Sequence, residues 1–153
     1  MDDVAVIITC FDLGRTLDEA VASVEAQHVR AREVVIVDDG SQDRYTVQCL
    51  HALRQQGYTV LSGGRRGVGA ARNRGARHTV SPLVVFLDGD DRLAPGYIEQ
   101  LGARLDDPDL SFVTCGMRLF GDVSHEWSPP PLDLIAALTR GVPHVSSLMR
   151  RTL

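Results

Sequence analysis

Apolar positions along the chain follow two spacings in turn, one typical of buried strands and one typical of amphipathic helices. Short continuous apolar runs predict strands at residues 4–10, 33–38, 58–61 and 83–87. Apolar residues three and four positions apart predict helices at residues 14–26, 44–56, 68–76 and 95–105. This alternation predicts an α/β fold, with a Rossmann-like, mostly parallel sheet, right-handed crossovers and helices on both faces.

The pattern is weaker after residue 106. It predicts a strand at residues 111–119, a loop at 121–131, a short helix at 132–139 and a last strand at 145–149. The sequence ends without a turn or a polar tail, so we expect a single domain over residues 1–153 that is truncated at its C-terminal end. Such a truncation would leave apolar surface uncovered around Val145, Leu148 and Leu153, which favours self-association.

The composition excludes several classes of protein. With 44% hydrophobic and 24% charged residues, the 153 residues have the composition of a globular domain. The net charge of −4 argues against a nucleic-acid partner. Cys10, Cys49 and Cys115 lack metal-binding spacing and favour reduced thiols. The acidic N-terminus is unlike a signal peptide, and no apolar run approaches the roughly 20 residues that span a bilayer. We therefore expect a cytoplasmic protein, at most peripheral at the inner face of a membrane.

Polar turns follow three of the predicted strands. They are TCFD at residues 9–12, DDGS at residues 38–41 and DGDD at residues 88–91. Ligands of doubly wound sheets bind beyond the carboxyl ends of the strands, so we expect these turns to meet at one edge. Clustered carboxylates stay charged only when water, hydrogen bonds or a cation compensates them. Such oxygens suit Mg²⁺ or Mn²⁺, especially where a ligand's phosphates complete the coordination, and the pattern therefore predicts a nucleotide and metal site.

Four blocks of the sequence resemble the family 2 glycosyltransferases, which have the GT-A fold. These blocks are VIITCFD (residues 6–12), VVIVDDGS (34–41), GVGAARNRG (67–75) and FLDGDD (86–91). The similarity covers residues 4–105, and the order and spacing of all four blocks are those of the family. The resemblance implies an enzyme that transfers a sugar, with inversion, from a nucleoside diphosphate of the UDP, GDP or dTDP type to a sugar, lipid or protein acceptor.

The resemblance also implies which residues bind the nucleotide. Side chains at the end of the first strand would line the base and ribose pocket, and the acidic turn after the second strand would contact the base or ribose. An arginine in the third block would lie near the base or the pyrophosphate. The residues so implied are Thr9, Cys10, Phe11, Asp38, Asp39, Arg72 and Asp88.

The metal site and the general base are implied in the same way. Asp90, together with Asp88, would bind Mn²⁺ or Mg²⁺, while Asp91 would face the acceptor. Family members usually continue into a glycine-rich turn and an acidic stretch that supplies the base, and nothing similar follows Arg151. We therefore expect the base beyond Leu153, with Asp91 as the weaker candidate within the chain. Residues 1–153 would then bind the donor nucleotide but transfer no sugar at a useful rate.

Two other classes of function remain open. The missing base region favours a non-catalytic domain that binds a nucleotide sugar. A nucleotidyltransferase would use a similar sheet, but it needs a glycine-rich phosphate loop and a basic residue directly after the first strand, which residues 11–15 (FDLGR) match poorly. Trp127, beside three prolines, is either a packing residue or a platform on which a sugar stacks.

Overall fold

The computed structural model describes residues 3–129 and 144–151. Strands and helices alternate up to residue 104, and short strands follow. The elements are β1 (Val4–Cys10), α1 (Gly14–Glu25), β2 (Glu33–Asp38), α2 (Arg44–Gln55), β3 (Thr59–Ser62), α3 (Val68–His78), β4 (Leu83–Asp88), α4 (Tyr97–Arg104), β5 (Phe112–Val113), β6 (Met117–Leu119), β7 (His125–Trp127) and β8 (Leu148–Arg150). None of the helices in the described ranges is long and apolar enough to cross a bilayer.

Six strands form one sheet in the order β3-β2-β1-β4-β8-β5. The first four strands along the chain pair in parallel, whereas β8 is antiparallel to both of its neighbours. A separate antiparallel pair is formed by β6 and β7. The strand order reverses between β1 and β4, and in such sheets a crevice opens at this point beyond the carboxyl ends of the strands. The predicted α/β fold with a mostly parallel sheet is confirmed.

The sheet is buried on both faces, as its continuous apolar strands require. All residues of β1 are buried. Val6 and Ile8 belong to a cluster with residues of α1, α2 and α4, whereas Ile7 packs with Ala71 of α3. Full burial of each such aliphatic side chain stabilises the fold by about 1.5–3 kcal/mol.

Helix α3 approaches the sheet closely at Gly75. A Cβ atom at this position would lie 2.3 Å from Cγ2 of Ile7 and 3.2 Å from Cγ2 of Val37. Real side chains do not approach so closely, so only glycine allows α3 to lie at this distance from the sheet. This packing positions the first turn of α3 beside the ends of β1 and β2.

The single strand predicted at residues 111–119 is wrong. The structure instead has β5 in the large sheet and β6 in the separate pair. Residues 114–116 separate the two strands, and a Cβ atom on Gly116 would lie 2.8 Å from the carbonyl oxygen of Trp127. This close backbone approach allows β6 to pair with β7 instead of continuing β5.

Two further expectations for the same region need correction. The loop predicted at residues 121–131 contains β7, and the strand predicted at 145–149 is β8, which begins at Leu148. Leu148 is fully buried between β4 and β5, so the expectation of exposed apolar surface there is wrong. The helix predicted at residues 132–139 and Leu153 lie outside the described residues.

Candidate functional site

A cleft of about 200 Å³ lies at the point where the strand order reverses. Strand pairing places Thr9 beside Asp88 and Cys10 beside Asp38, so the three polar turns do meet at one edge. This first cleft is lined by Thr9, Cys10, Phe11, Leu13, Asp39, Val68, Ala71, Asp88 and Asp90.

The nucleotide-binding residues implied by the resemblance therefore fall into two groups. Thr9, Cys10, Phe11, Asp39 and Asp88 line the first cleft directly. The other two do not line it: Asp38 accepts a hydrogen bond that closes the turn after β2, and Arg72 binds the carboxylate of Asp88.

Sequence reasoning missed three apolar residues that line the first cleft. Leu13 follows the first polar turn, and Val68 and Ala71 lie on the first turn of α3. The glycine-rich block that begins at Gly67 was a signal for the last two, because it places the start of a helix beside the strand ends.

Two protein groups bind the carboxylate of Asp88. Arg72 donates from Nη2 to both carboxylate oxygens, at 2.8 Å and 3.1 Å. The hydroxyl of Thr9 donates to Oδ1 of Asp88 at 2.8 Å. Nε of Arg72 is buried and has no hydrogen-bond partner within the described residues. Asp88 is thus held in one orientation, with its charge compensated before any ligand arrives.

Asp39 holds the loop between β3 and α3. Its Oδ1 accepts a hydrogen bond from the backbone N–H of Arg66 at 2.8 Å, and its Oδ2 accepts one from Gly67 at 2.7 Å. A Cβ atom on Gly63 would lie 2.9 Å from Oδ1 of Asp39, so this loop passes directly against the carboxylate. Although Asp39 is buried, each of its oxygens retains a lone pair for a ligand.

Asp38 and Asp12 shape the backbone around the first cleft. Oδ1 of Asp38 accepts a hydrogen bond from the backbone N–H of Ser41 at 2.9 Å, which closes the turn after β2. Asp12, with φ of 54°, accepts hydrogen bonds from the N–H groups of Gln42 and Asp43 at 2.7 Å and 2.8 Å. These bonds join the turn after β1 to the start of α2. Aspartate tolerates the left-handed conformation, but the sequence did not indicate this role.

The acidic turn after β4 is fixed by its backbone. The N–H of Gly89 donates to the carbonyl oxygen of Thr9, and the N–H of Asp91 donates to that of Asp88, at 2.8 Å and 2.9 Å. A Cβ atom on Gly89 would lie 2.9 Å from the same carbonyl of Thr9, so the turn requires glycine there. Asp90 is exposed at the tip, and its carboxylate makes no hydrogen bond or ion pair with the residues that the structure describes.

A second cleft, of about 700 Å³, lies on the other side of Asp90. It is lined by Asp90, Asp91, Arg92, Leu93, Ala94, Tyr97, Cys115, Gly116, Met117, Arg118, Leu119, Phe120, Glu126, Trp127, Ser128, His144 and Ser146. Asp90 is therefore shared by the two clefts. Trp127 is half-buried on the wall of the second cleft, where its ring is available for contact.

Burial affects the ionisation of Asp91 and Cys10. It raises the pKa of Asp91 above the ordinary value of 3.8; the charges of Asp90 and Asp88 raise it further, and His144 opposes the shift. Burial also raises the pKa of the Cys10 thiol. Cys10 thus lines the first cleft as a neutral, nearly apolar group, while Asp91 holds its proton to a higher pH than an ordinary aspartate.

The carboxylate oxygens of this site suit a metal cation whose coordination is completed by a bound ligand. In the described part of the chain, no three His, Cys, Asp or Glu side chains are grouped so that they could bind a metal by themselves. Asp90 offers exposed oxygens that no described protein group binds, whereas Asp88 is already compensated by Arg72. Mg²⁺ and Mn²⁺ fit this arrangement, because they bind through one or two carboxylates and take their remaining ligands from phosphates and water.

Comparison with known proteins places this geometry in context. The sequence model of the family described as "Glycosyl transferase family 2" matches residues 5–148. The chain is 25% identical over 138 residues to the "Uncharacterized glycosyltransferase EpsJ" of Bacillus subtilis (strain 168), a match that covers 90% of this chain and 40% of EpsJ.

Two solved structures are similar to the chain. The mannosyltransferase PcManGT from Pyrobaculum calidifontis, in complex with GDP-Man and Mn²⁺, is 25% identical with a TM-score of 0.64, over 75% of this chain and 37% of that one. S. aureus TarS 1-349 in complex with UDP-GlcNAc is 20% identical with a TM-score of 0.77, over 97% of this chain and 45% of that one. The likeness to TarS shows the fold, and the expected GT-A fold is confirmed. The chain spans less than half the length of each of these relatives.

Proposed function

Because the chain belongs to glycosyl transferase family 2, we propose that it binds a nucleoside-diphosphate sugar and a divalent cation in the first cleft and transfers the sugar to an acceptor. The observation that carries this proposal is the meeting of Thr9, Asp39, Asp88 and Asp90 around one cleft. PcManGT, which was solved with GDP-Man and Mn²⁺, supports both the class of donor and the use of a cation.

The ends of β1 and β2 bind the nucleoside. Phe11 offers an aromatic ring and Cys10 a small neutral wall, while the carboxylate of Asp39 accepts hydrogen bonds from the base or the ribose. Asp39 is preorganised for this role, since two backbone N–H groups already hold it in place. Asp38 contributes indirectly: its carboxylate accepts a hydrogen bond from the backbone N–H of Ser41, and this bond closes the turn after β2.

Arg72 and Asp88 act as a unit on the other side of the cleft. The carboxylate of Asp88 is held by Arg72 and Thr9, so it can accept a hydrogen bond from a ribose hydroxyl or from water bound to the cation. Arg72 keeps Asp88 correctly oriented and adds positive charge near the pyrophosphate. The buried Nε of Arg72 has no hydrogen-bond partner among the described residues, so it can donate to a further acceptor.

Asp90 is the proposed protein ligand of Mn²⁺ or Mg²⁺, with Asp88 as the second candidate. A cation held there would supply Lewis-acid stabilisation of the negative charge on the departing diphosphate. Asp90 itself keeps the reacting end of the donor at the boundary between the two clefts, because its side chain lines both of them.

The second cleft accommodates the acceptor in this proposal. It is larger than the first cleft and adjoins it at Asp90, so an acceptor bound there lies next to the sugar. Asp91 faces this space with a raised pKa, which makes its carboxylate a stronger proton acceptor than an ordinary aspartate. Trp127 provides an aromatic surface on the same wall.

The binding step can be tested by thermal melting. UDP, GDP and dTDP are each added with and without Mn²⁺, and at least one pair should raise the melting temperature more than the nucleotide alone does. A nucleotide at about 100 times its dissociation constant adds roughly 2.7 kcal/mol to the free energy of unfolding. If no nucleotide shifts the melting temperature of the folded protein, the proposal is wrong.

The transfer step needs a separate assay. With the matching nucleotide sugar and a series of sugar, lipid and peptide acceptors, the protein should release nucleoside diphosphate in amounts that depend on the acceptor. Release of pyrophosphate in its place would identify a nucleotidyltransferase. Binding without any release would favour a non-catalytic domain or a general base beyond Leu153, and either of these results would contradict the proposed transfer by these residues.

A further inference from the structure

Arg65 has an unusual backbone conformation beside the first cleft. Its φ angle is 57°, in the left-handed region that bulky side chains seldom adopt. A Cβ atom on Gly40 would lie 3.2 Å from both N and Cβ of Arg65, so this residue packs directly on the turn after β2. The next two residues donate their N–H groups to Asp39. The backbone of Arg65 is therefore fixed by the same carboxylate that lines the first cleft.

The side chain of Arg65 lies over the ring of Phe11. Cζ of Arg65 is 5.5 Å from the centroid of the ring, within the range of a cation–π interaction. Phe11 lines the first cleft and is 42% exposed, so its ring is a contact surface and not part of the core. This Phe11–Arg65 pair joins the loop after β3 to the end of β1.

The charge of Arg65 is available to a ligand. Arg72 is committed to Asp88 at 2.8 Å, whereas Arg65 forms no ion pair with the described residues. The neighbouring Arg66 is also exposed, but neither a ring contact nor an ion pair is found for its side chain in the same part of the chain. Two adjacent arginines thus differ in that only Arg65 lies against the cleft wall.

Sheet topology separates Arg65 from the proposed cation site. Arg65 packs on the turn after β2, whereas Asp90 follows β4, and β1 lies between these two strands. Two strand spacings amount to about 10 Å. The backbone of Arg65 therefore lies on the side of the first cleft away from Asp90, and its guanidinium lies over Phe11.

We propose that Arg65 contacts the nucleobase of the donor and completes the base pocket to which Phe11 belongs. The base stacks against Phe11, and the planar guanidinium of Arg65 extends that stack and donates hydrogen bonds to carbonyl oxygens of the base. This inference rests on the proposed function, because it requires a nucleoside diphosphate in the first cleft. It assigns Arg65 a contact with the base and no contact with the phosphates.

Isothermal titration with UDP, GDP and dTDP, each with Mn²⁺, and with the corresponding monophosphates tests this assignment. Arg65→Gly removes the guanidinium and suits the positive φ, so the variant should melt no lower than wild type. It should weaken binding about three- to thirtyfold, the range expected for a cation–π contact. The matched variant Arg66→Gly loses the same charge one residue away and should bind like wild type. Arg65→Lys, which lacks the planar group, should recover only part of the loss.

The outcomes separate this inference from the proposed function. If no nucleotide binds to the wild-type protein, both fail. If the wild type binds and Arg65→Gly behaves like Arg66→Gly, the inference fails and the proposed function stands. Equal losses for the monophosphate and the diphosphate support the base contact, whereas a loss confined to the diphosphate would assign Arg65 to the phosphates and overturn it. Combining Arg65→Gly with Phe11→Leu should cost less than the sum of the two separate losses, and strict additivity would contradict the pair.

Discussion

The two clefts that meet at Asp90 differ in how the protein treats its carboxylates. In the first cleft, Asp39 and Asp88 accept hydrogen bonds from backbone N–H groups, a hydroxyl and a guanidinium. In the second cleft, Asp91 is half-buried beside other carboxylates, and its pKa is raised. The same residue type is therefore oriented and compensated on one side, and is made a better proton acceptor on the other.

The difference has a chemical meaning for the proposed reaction. A donor nucleotide that must be bound in one pose benefits from carboxylates whose positions are set before it arrives. An acceptor hydroxyl that must lose a proton benefits from a carboxylate with a higher pKa. Asp90 lines both clefts. Unlike Asp39 and Asp88, it has no described protein group that compensates the charge of its carboxylate.

The largest effect is expected from Asp90→Ala, which removes the residue that the two clefts share. The variant should lose the Mn²⁺-dependent part of nucleotide binding, because Asp90 supplies the free carboxylate for the cation. Titration of the tightest-binding nucleotide with and without Mn²⁺ measures this loss. The empty variant should melt no lower than wild type, since the substitution removes repulsion from the acidic turn.

A control for the lost charge is Asp106→Ala. Asp106 is also exposed, but it does not line either cleft. Its replacement should leave the effect of Mn²⁺ unchanged. If Asp90→Ala retains the full Mn²⁺ dependence, the assignment of the cation ligand is wrong.

A smaller effect is expected when the preorganisation of the first cleft is broken at Asp39. Asp39→Ala removes the charged acceptor of two backbone N–H groups, whereas Asp38→Ala removes the acceptor of one. Hydrogen bonds to charged groups contribute about 1.5–3 kcal/mol each. Asp39→Ala should therefore lower the free energy of unfolding more than Asp38→Ala does, as measured by urea denaturation.

Nucleotide binding should separate the same two variants. Asp39→Ala should weaken binding even without Mn²⁺, because it removes a proposed contact with the base or ribose. Asp38→Ala should have the weaker effect, since its carboxylate acts only through the turn. Equal losses of stability and of binding in the two variants would contradict the distinction drawn between them.

The parallel part of the fold could be predicted because each strand carries its own signal. β1 and β4 are continuous apolar runs that are buried on both faces, and polar turns mark their ends. β5 to β8 are two or three residues long and depend on pairing with distant segments, as between β5 and β8. A pattern read along the chain does not contain such pairings, and the predictions of one strand at residues 111–119 and a loop at 121–131 were wrong for this reason.

The same limit applies to the site. The meeting of Thr9 and Asp88 follows from parallel pairing and could be predicted. The hydrogen bonds of Asp39 to the loop after β3 and the placement of Arg65 over Phe11 depend on loop conformation. A positive φ at an arginine has no sequence signal, because arginine is not a residue that favours it. The contacts made by the loops were therefore the part of the site that could not be predicted from the sequence.

The smallest effect is expected from Asp91→Asn, which tests the second cleft. Burial and the charges of Asp90 and Asp88 raise the pKa of Asp91 above 3.8, its ordinary value, while His144 opposes the shift. The folded protein therefore holds this proton to a higher pH than the unfolded chain does. The stability that comes from the protonated form is present at low pH and is lost as the pH rises from the ordinary value through the raised one. Asparagine carries no charge at any pH, so the variant escapes this loss.

The melting temperature of Asp91→Asn, measured from pH 3 to pH 8 without ligand, should match that of wild type at the acid end and exceed it at the neutral end. Asp106→Asn, at an exposed carboxylate outside both clefts, serves as the control for a lost charge. A difference in melting temperature that does not change with pH, or one that favours wild type at neutral pH, would contradict the raised pKa.

The acceptor-dependent release of nucleoside diphosphate should fall in the same variant while nucleotide binding is retained, because Asp91 lines the second cleft and not the first. Loss of nucleotide binding in Asp91→Asn would instead indicate that the two clefts act together as one binding site.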